Sequence, residues 1–173
     1  MKSELVYLYQ PLDGPNFLFS PRKSGDVGYD LPVYIEKSNQ TIIDRIVSFF
    51  LFKKSIIIWP IIGVRTINSG IYLIMPDHLW AEIRPRSSTS RKKLNILGGT
   101  IDSGYHGEMF TVIHNLGFIP RIISHDQRYS QVVFRYAIRP QMRLIGDESF
   151  HHMVNESIKD GGRGLTGFGS TGS

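Results

Sequence analysis

Hydrophobic positions along this chain gather in short runs rich in β-branched and aromatic side chains, with turn-forming residues between them. Residues 6–9, 31–35, 56–65, 71–75, 79–84, 109–115 and 132–138 each predict a β-strand on that basis. The separators are Asn68-Ser-Gly70, Pro76-Asp-His78, Gly98-Gly99, Asp102-Ser-Gly104 and Leu116-Gly117. Many short strands with regular turns predict an all-β fold, a jelly-roll-like antiparallel barrel or sandwich. No internal repeat interrupts the pattern.

One stretch departs from it. Residues 39–54 carry apolar side chains at 42, 43, 46, 47 and 50, a hydroxyl at Thr41 suited to an N-cap, and Lys53-Lys54 at the end. That spacing predicts a short helical insertion with its cations at the negative end of the helix dipole. A strand competes, because β-branched and aromatic residues are dense here. Ile42, Ile43, Ile46, Val47, Phe49, Phe50, Leu51 and Phe52 form too much apolar surface to face water unaided. The expectation is that one face packs on the chain's own β-core, the alternative being a docking surface for a protein partner.

The other departure is the C-terminus, where Gly161, Gly162, Gly164, Gly167, Gly169 and Gly172 punctuate the last residues. Such a segment buries little and has the largest backbone entropy to lose, so it predicts a flexible arm, residues 161–173, appended to a β domain spanning 1–160. Arg163, Ser170 and Thr171 suit phosphate oxygens, and Phe168 offers a face to a nucleobase.

Composition narrows the chemistry. The 173 residues suffice for one domain with a proper core. There is no cysteine, hence no disulfide, thiolate nucleophile or cysteine zinc site. A net charge of +5 suits a polyanionic ligand, but no dense basic run points to nucleic acid. The apolar runs 46–52 and 56–62 are separated by Lys53-Lys54-Ser55 and are too short to cross a bilayer. The N-terminus lacks a signal-peptide pattern. The expectation is a protein of the cytoplasm, or of the nucleus if the source is eukaryotic or viral, with no membrane association.

Three further segments carry candidate chemistry. Arg84-Pro-Arg-Ser-Ser-Thr-Ser-Arg91 follows a predicted strand with arginines and consecutive hydroxyls, as in a phosphate-binding turn opening a helix or an exposed polar loop. Leu94-Asn-Ile-Leu-Gly-Gly-Thr-Ile-Asp-Ser-Gly-Tyr-His-Gly-Glu108 contains a tight hairpin signal at Gly98-Gly99, then a carboxylate, Asp102, and a ring, Tyr105. Asp102 is suited to general-base work or, equally, to capping its own turn. Asp30 sits at the mouth of one strand, and Arg128 and Gln131 lie beside another.

Taken in order, these segments resemble the five motifs of the trimeric deoxyuridine triphosphatases: Gly28-Tyr-Asp-Leu31, Pro85-Arg-Ser-Ser88, Gly99-Thr-Ile-Asp-Ser-Gly-Tyr-His-Gly-Glu108, Arg128-Tyr-Ser-Gln131 and Arg163-Gly-Leu-Thr-Gly-Phe-Gly-Ser-Thr-Gly172. The resemblance runs from about residue 24 to the end. It implies a jelly-roll-like homotrimer whose active sites are shared between subunits. It implies an enzyme that hydrolyses dUTP to dUMP and pyrophosphate with Mg2+, limiting uracil in DNA and supplying dUMP for dTMP synthesis. By position, Asp102 orients and deprotonates the water that attacks the α-phosphorus, and Tyr105 stacks on the deoxyribose. The main chain around Leu97, Gly98, Gly99 and Thr100 reads the uracil edge. Arg86, Ser87, Ser88 and Gln131 hold phosphate oxygens, and Asp30 holds the Mg2+ through water. Arg163 meets the γ-phosphate, Phe168 stacks on uracil, and Gly169, Ser170 and Thr171 close the arm.

Three departures accompany the resemblance. Asp126-Gln127-Arg128 stands where the fourth motif usually reads Gly-Asp-Arg. Ile96, with Asn95 beside it, stands where many members carry an asparagine. The segment between Asp30 and Val64-Arg-Thr66 is longer than usual. The nearest rival is a dCTP deaminase, which needs a glutamate on the strand after the third motif, and this chain has Val112 there. A non-catalytic, nucleotide-responsive regulator is the reading from another class, opposed by Asp102, Tyr105 and the intact fifth motif.

Overall fold

In a computed structural model, residues 5–11, 14 and 23–162 are described, and the chain divides into two compact units, 1–138 and 139–173. The first unit holds β1 (Tyr7–Tyr9), β2 (Gly28–Pro32), a 3-10 turn (Lys37–Asn39), α1 (Ile42–Phe50), β3 (Ser55–Ile58), β4 (Val64–Ile74), β5 (Leu79–Pro85), α2 (Ser87–Arg91), β6 (Leu94–Leu97), β7 (Thr100–Ile101), β8 (Glu108–Asn115), β9 (Arg121–Ser124) and β10 (Arg128–Tyr136). The second holds α3 (Asp147–Lys159), with Asp147 and Glu148 in its first turn and Lys159 in its last, as the helix dipole favours.

Three antiparallel sheets form the first unit, in the orders β1-β4-β8-β6, β2-β10-β5-β7 and β3-β9. This is the jelly-roll-like double-sheet architecture expected. Inward-facing side chains alternate along the strands and meet in two clusters. Leu31, Ile71, Leu73, Leu79, Ala81, Ile83, Met109 and Val132 fill the space between the first and second sheets. Val33, Ile35, Ile56, Ile58, Ile67, Ile113 and Ile123 fill that between the first sheet and the β3-β9 ribbon.

The strand expectation at 56–65 breaks in two. Pro60 lacks an amide proton, and Ile61 takes a left-handed φ of 64° with its N–H bonded to Asn115 O, so the chain turns between β3 and β4. Conversely, the expected turn at Asn68-Ser-Gly70 is a bulge inside β4, where the register with β8 shifts between Asn68 and Tyr72. The Ser69 hydroxyl donates to Met109 O at 2.6 Å, and the Gly70 N–H donates to the Glu108 carboxylate at 2.6 Å. These contacts absorb the two extra residues without ending the strand.

Helix α1 forms where its spacing predicts, with Thr41 as the N-cap and Asp44 completing a capping box. Its orientation is opposite to the expectation. The helix meets the β domain with its polar face: Asp44 is 1% exposed, while Ile42, Ile43, Ile46, Phe49 and Phe50 are exposed. Asp44 Oδ1 accepts the Ile57 N–H at 2.8 Å, and its Oδ2 lies 3.0 Å from the Arg65 guanidinium. Ser48 Oγ accepts the Ser55 N–H at 2.8 Å, and Gln40 donates to Ser55 O. Periodicity defined two faces, but the edge of β3 offered unpaired backbone groups that only the polar face could satisfy. Burial alone would raise the Asp44 carboxyl; the Thr41 and Ile57 amides, the Thr41 hydroxyl and Arg65 outweigh it and hold it below the ordinary 3.8.

The two faces therefore differ in their effect on stability. Asp44→Ala strands Arg65 and the Ile57 amide and is expected to cost about 3 kcal/mol or more. Phe49→Ser with Phe50→Ser changes exposed positions and is expected to stay within about 0.5 kcal/mol per site. Thermal melts of both variants check this, and a large loss in the phenylalanine variant would place that face in the core.

Candidate active site

Strand β5 lies between β10 and β7 and carries candidate groups at both ends. At its C-terminal end the chain passes through Pro85 to Arg86, the N-cap residue of α2, whose first residues are Ser87 and Ser88. Gln131 on β10 is in register with Arg84 on one side and with Asp30 of β2 on the other. Asp30, Arg86, Ser87 and Gln131 thus converge on one open cavity of about 400 Å3, lined also by residues 25–28. A β-carbon at Gly28 would collide with Gln131 Oε1, so a larger residue there would displace the Gln131 side chain.

Inside this cavity Asp30 is buried and carries two arginines. Arg86 Nε lies 2.6 Å from Oδ1, and Arg128 Nη1 lies 3.4 Å from Oδ2. Arg86 Nη1 also donates to Arg128 O at 3.1 Å. Thr89, on the next turn of α2, donates its hydroxyl to Tyr129 O, which locks the helix start against β10. Guanidiniums, hydroxyls and an amide around one concavity are groups of the kind that hold oxyanions.

The other candidates lie along the β7 edge of β5, the Gly98-Gly99 crossing beside Ile83 and Asp102 toward the opposite end. Strand β6 pairs with β8 in the first sheet and β7 pairs with β5 in the second, so Gly98-Gly99 carries the chain from one sheet to the other. This corrects the hairpin expected there. Both glycines have positive φ, 67° and 123°, and a β-carbon on Gly99 would approach Ile83 O to 2.7 Å. Leu97 and Thr100 flank this crossing, exposed. Ile96 packs against both cores, whereas Asn95 is exposed. Beyond β7, Asp102 is exposed in a turn where the Tyr105 N–H donates to Asp102 O at 3.0 Å and the Tyr105 hydroxyl donates to Glu108 O.

Register sets the separation. Thr100 faces Glu82 and Ile101 faces Ala81, so Asp102 lies level with Trp80, six residues from Arg86. At the rise of a strand that is roughly 20 Å. Asp102, Tyr105 and the Leu97–Thr100 main chain are not among the described residues lining the cavity. Ser88 follows Ser87, half-buried. Arg163, Phe168, Gly169, Ser170 and Thr171 lie outside the described residues.

The turn before Arg128 resolves the departure in the fourth motif. Asp126 adopts a φ of 63°, a left-handed conformation that glycine takes freely and aspartate tolerates. Gln127 braces the turn by accepting from Ser124 N–H and from the Tyr129 hydroxyl. His125 was not anticipated: its Nδ1 accepts the Ile35 N–H at 3.0 Å, which requires a neutral ring. Burial lowers its pKa, against the pull of Asp126 and with the help of Lys54 and Lys53.

This geometry belongs to a known class. Residues 72–137 match the dCTP deaminase-like family model. A deoxyuridine 5′-triphosphate nucleotidohydrolase of Leptospira interrogans is 35% identical over 113 residues, 64% of this chain and 72% of the relative. That of Paramecium bursaria Chlorella virus 1 is 28% identical over 117 residues, 67% of this chain and 76% of the relative. The fold matches the dUTPase of Staphylococcus bacteriophage 80alpha with a TM-score of 0.74 at 18% identity, across 99% of this chain and 100% of that one. The chain belongs to the deoxyuridine 5′-triphosphate nucleotidohydrolase, or dUTPase, family.

Because folding favours neutral His125, its contribution to stability is complete above the ring's ordinary 6.5 and is lost as pH falls toward the lowered folded value. Between about pH 7.5 and 5.5 the melting temperature of the wild type should fall further than that of His125→Asn, whose amide oxygen can replace Nδ1 without titrating. Parallel slopes would remove His125 from the pH dependence.

Proposed function

We propose that this protein hydrolyses dUTP to dUMP and pyrophosphate in active sites assembled between subunits of a homotrimer. The observation that carries the reading is the cavity of Asp30, Arg86, Ser87 and Gln131 in a chain of the dUTPase family, with Asp102 exposed beyond β7, level with the opposite end of β5. Two groups held roughly 20 Å apart along paired strands of one sheet cannot act on one phosphate, so an Asp102 and an Arg86 that meet come from different chains.

In this reading Arg86, Ser87, Ser88 and Gln131 bind the phosphate oxygens of one nucleotide. From another subunit, Asp102 takes a proton from the water that attacks the α-phosphorus. The exposed Asp102 carboxylate needs no rearrangement to receive that water. Tyr105, tied through its hydroxyl to Glu108 O, presents its ring to the deoxyribose. The main chain of Leu97, Gly98, Gly99 and Thr100 takes the uracil edge, and Asn95, on the exposed face of β6, is the side chain available beside it. Arg163, Phe168, Gly169, Ser170 and Thr171 close over the bound nucleotide. Phosphoryl chemistry needs mostly position and charge, which these groups supply.

Mg2+ enters as part of the substrate, chelated by the triphosphate. The cavity is not a metal cage: its carboxylates are Asp26, which accepts from Lys23 N–H, and Asp30, which is held by arginines. Among the described residues no group of three His, Asp or Glu could hold a metal ion. Release of dUMP would supply dTMP synthesis and keep uracil out of DNA. The outward apolar face of α1 supports the docking of another protein.

The dCTP deaminase-like match favours one rival, deamination. Val112 lies on β8 in register with Leu97 and offers no proton-transfer group at the place that reaction requires. Pyrophosphate release with dUTP, dCTP and dTTP separates the readings: turnover is expected with dUTP alone, and ammonia from dCTP would establish the rival. Asp102→Asn is expected to bind dUTP but to lose turnover by about two orders of magnitude or more.

A further inference from the structure

We propose that Glu108 is a positioning residue that holds the Tyr105 ring in the place that tells a deoxyribose from a ribose. This rests on the reading of Tyr105 as the ring presented to the sugar. Tyr105 lies in the loop between β7 and β8, and three contacts fix it. Its N–H donates to Asp102 O at 3.0 Å, its hydroxyl donates to Glu108 O at 2.9 Å, and its ring tip lies over Gly107. A β-carbon at Gly107 would come within 2.6 Å of Cζ, so a side chain there would push the ring aside. Two of the three contacts therefore depend on where Gly107 and Glu108 sit, at the entry to β8.

The backbone alone does not secure that entry. The register of β4 with β8 runs from Val64–His114 to Asn68–Phe110, breaks, and resumes with the single pair Tyr72–Glu108. Across the break the Glu108 carboxylate takes over from the ladder. Oε1 accepts the Gly70 N–H at 2.6 Å, and Oε2 accepts from Asn68 Nδ2 at 2.9 Å. Gly70 is buried, so its N–H would be left unpaired without the carboxylate. The bulge is in turn seated in the core, where Ser69 is fully buried and bonded to Met109 O, and Ile71 belongs to the first cluster. A path of defined contacts thus runs from the core through Ser69 and Gly70 to the Glu108 carboxylate, and through the Glu108 carbonyl to the Tyr105 hydroxyl. A ring held at both its backbone amide and its hydroxyl keeps one position against the sugar and leaves no space for a 2′-hydroxyl. A ring free to swing yields that space.

Steady-state turnover of dUTP and UTP, compared as the ratio of their kcat/KM values, reads the position of the ring. Glu108→Ala should lower that ratio about tenfold or more, through lost dUTP turnover with UTP turnover kept or improved. Glu108→Gln retains an oxygen for the Gly70 N–H and meets an Asn68 amide that can turn over to pair with it. Its ratio should stay within about threefold of the wild type. A merely structural role would lower turnover of both nucleotides in step, so an unchanged ratio in Glu108→Ala would overturn the proposal. Tyr105→Phe removes the hydroxyl contact and leaves the bulge intact, so it reports even where Glu108→Ala fails to fold. It too should lose discrimination, and adding Glu108→Ala to it should lower the ratio little further. Wild-type discrimination in Tyr105→Phe, or UTP turned over as well as dUTP by the wild type, would equally overturn the proposal. A wild-type protein that turns over neither nucleotide would defeat the functional reading instead.

Discussion

The register of β5 is the constraint from which the site follows. Seven residue pairs, from Leu79–Tyr136 to Pro85–Ser130, fasten it to β10, and two more fasten it to β7. A one-residue slip would turn Ala81 and Ile83 from the core to the opposite face, so the core itself enforces the register. Once β5 and its pairing with β7 are fixed, the positions of Arg86 after β5 and Asp102 after β7 are fixed as well. The proposed phosphate cavity is built where β2, β5 and β10 meet side by side, and the proposed general-base turn is built where β7 leaves the sheet. In the proposed mechanism neither half suffices alone, and chains must associate for the two to meet.

Electrostatics then divides labour within the cavity. Asp30 lies against both Arg86 and Arg128 and neutralises part of the arginine charge there. The net charge of +5 is consistent with a site that must attract a polyanionic ligand from solution. Around it, polar contacts hold loops in place: Glu108 pins the β4 bulge through Gly70 N and Asn68 Nδ2, and carries Tyr105 on its carbonyl. Burial raises the Glu108 carboxyl above its ordinary range, while those two donors oppose the shift.

Much of this was legible in the sequence. The β-branched and aromatic runs marked β1, β2, β4, β5, β8 and β10, and the order Asp30, Arg86, Asp102, Gln131 marked the candidate site. Strands β6, β7 and β9 escaped because two to four residues carry too little alternation to stand out. Gly98-Gly99 announced a sharp turn, but whether it joined paired strands or crossed between sheets depends on long-range pairing. For α1, periodicity gave two faces without saying which one meets the body. Asp44, Ser48 and Gln40 decided that by satisfying β3 and its neighbours. Helix α3 lay in a stretch with mixed polarity and no strong stripe. His125 acts through the Ile35 amide, distant in sequence, which no local pattern encodes.

The central claim is that Asp102 and Arg86 serve a common phosphate only from different chains. Co-expression of Asp102→Asn and Arg86→Ala, each inactive alone, tests it through dUTP turnover of the mixed protein. Random mixing in a trimer should restore roughly a quarter of the sites, those pairing an intact Asp102 from one chain with an intact Arg86 from another. Mixed protein as inactive as either parent would show that both residues must come from one chain, and would contradict the account.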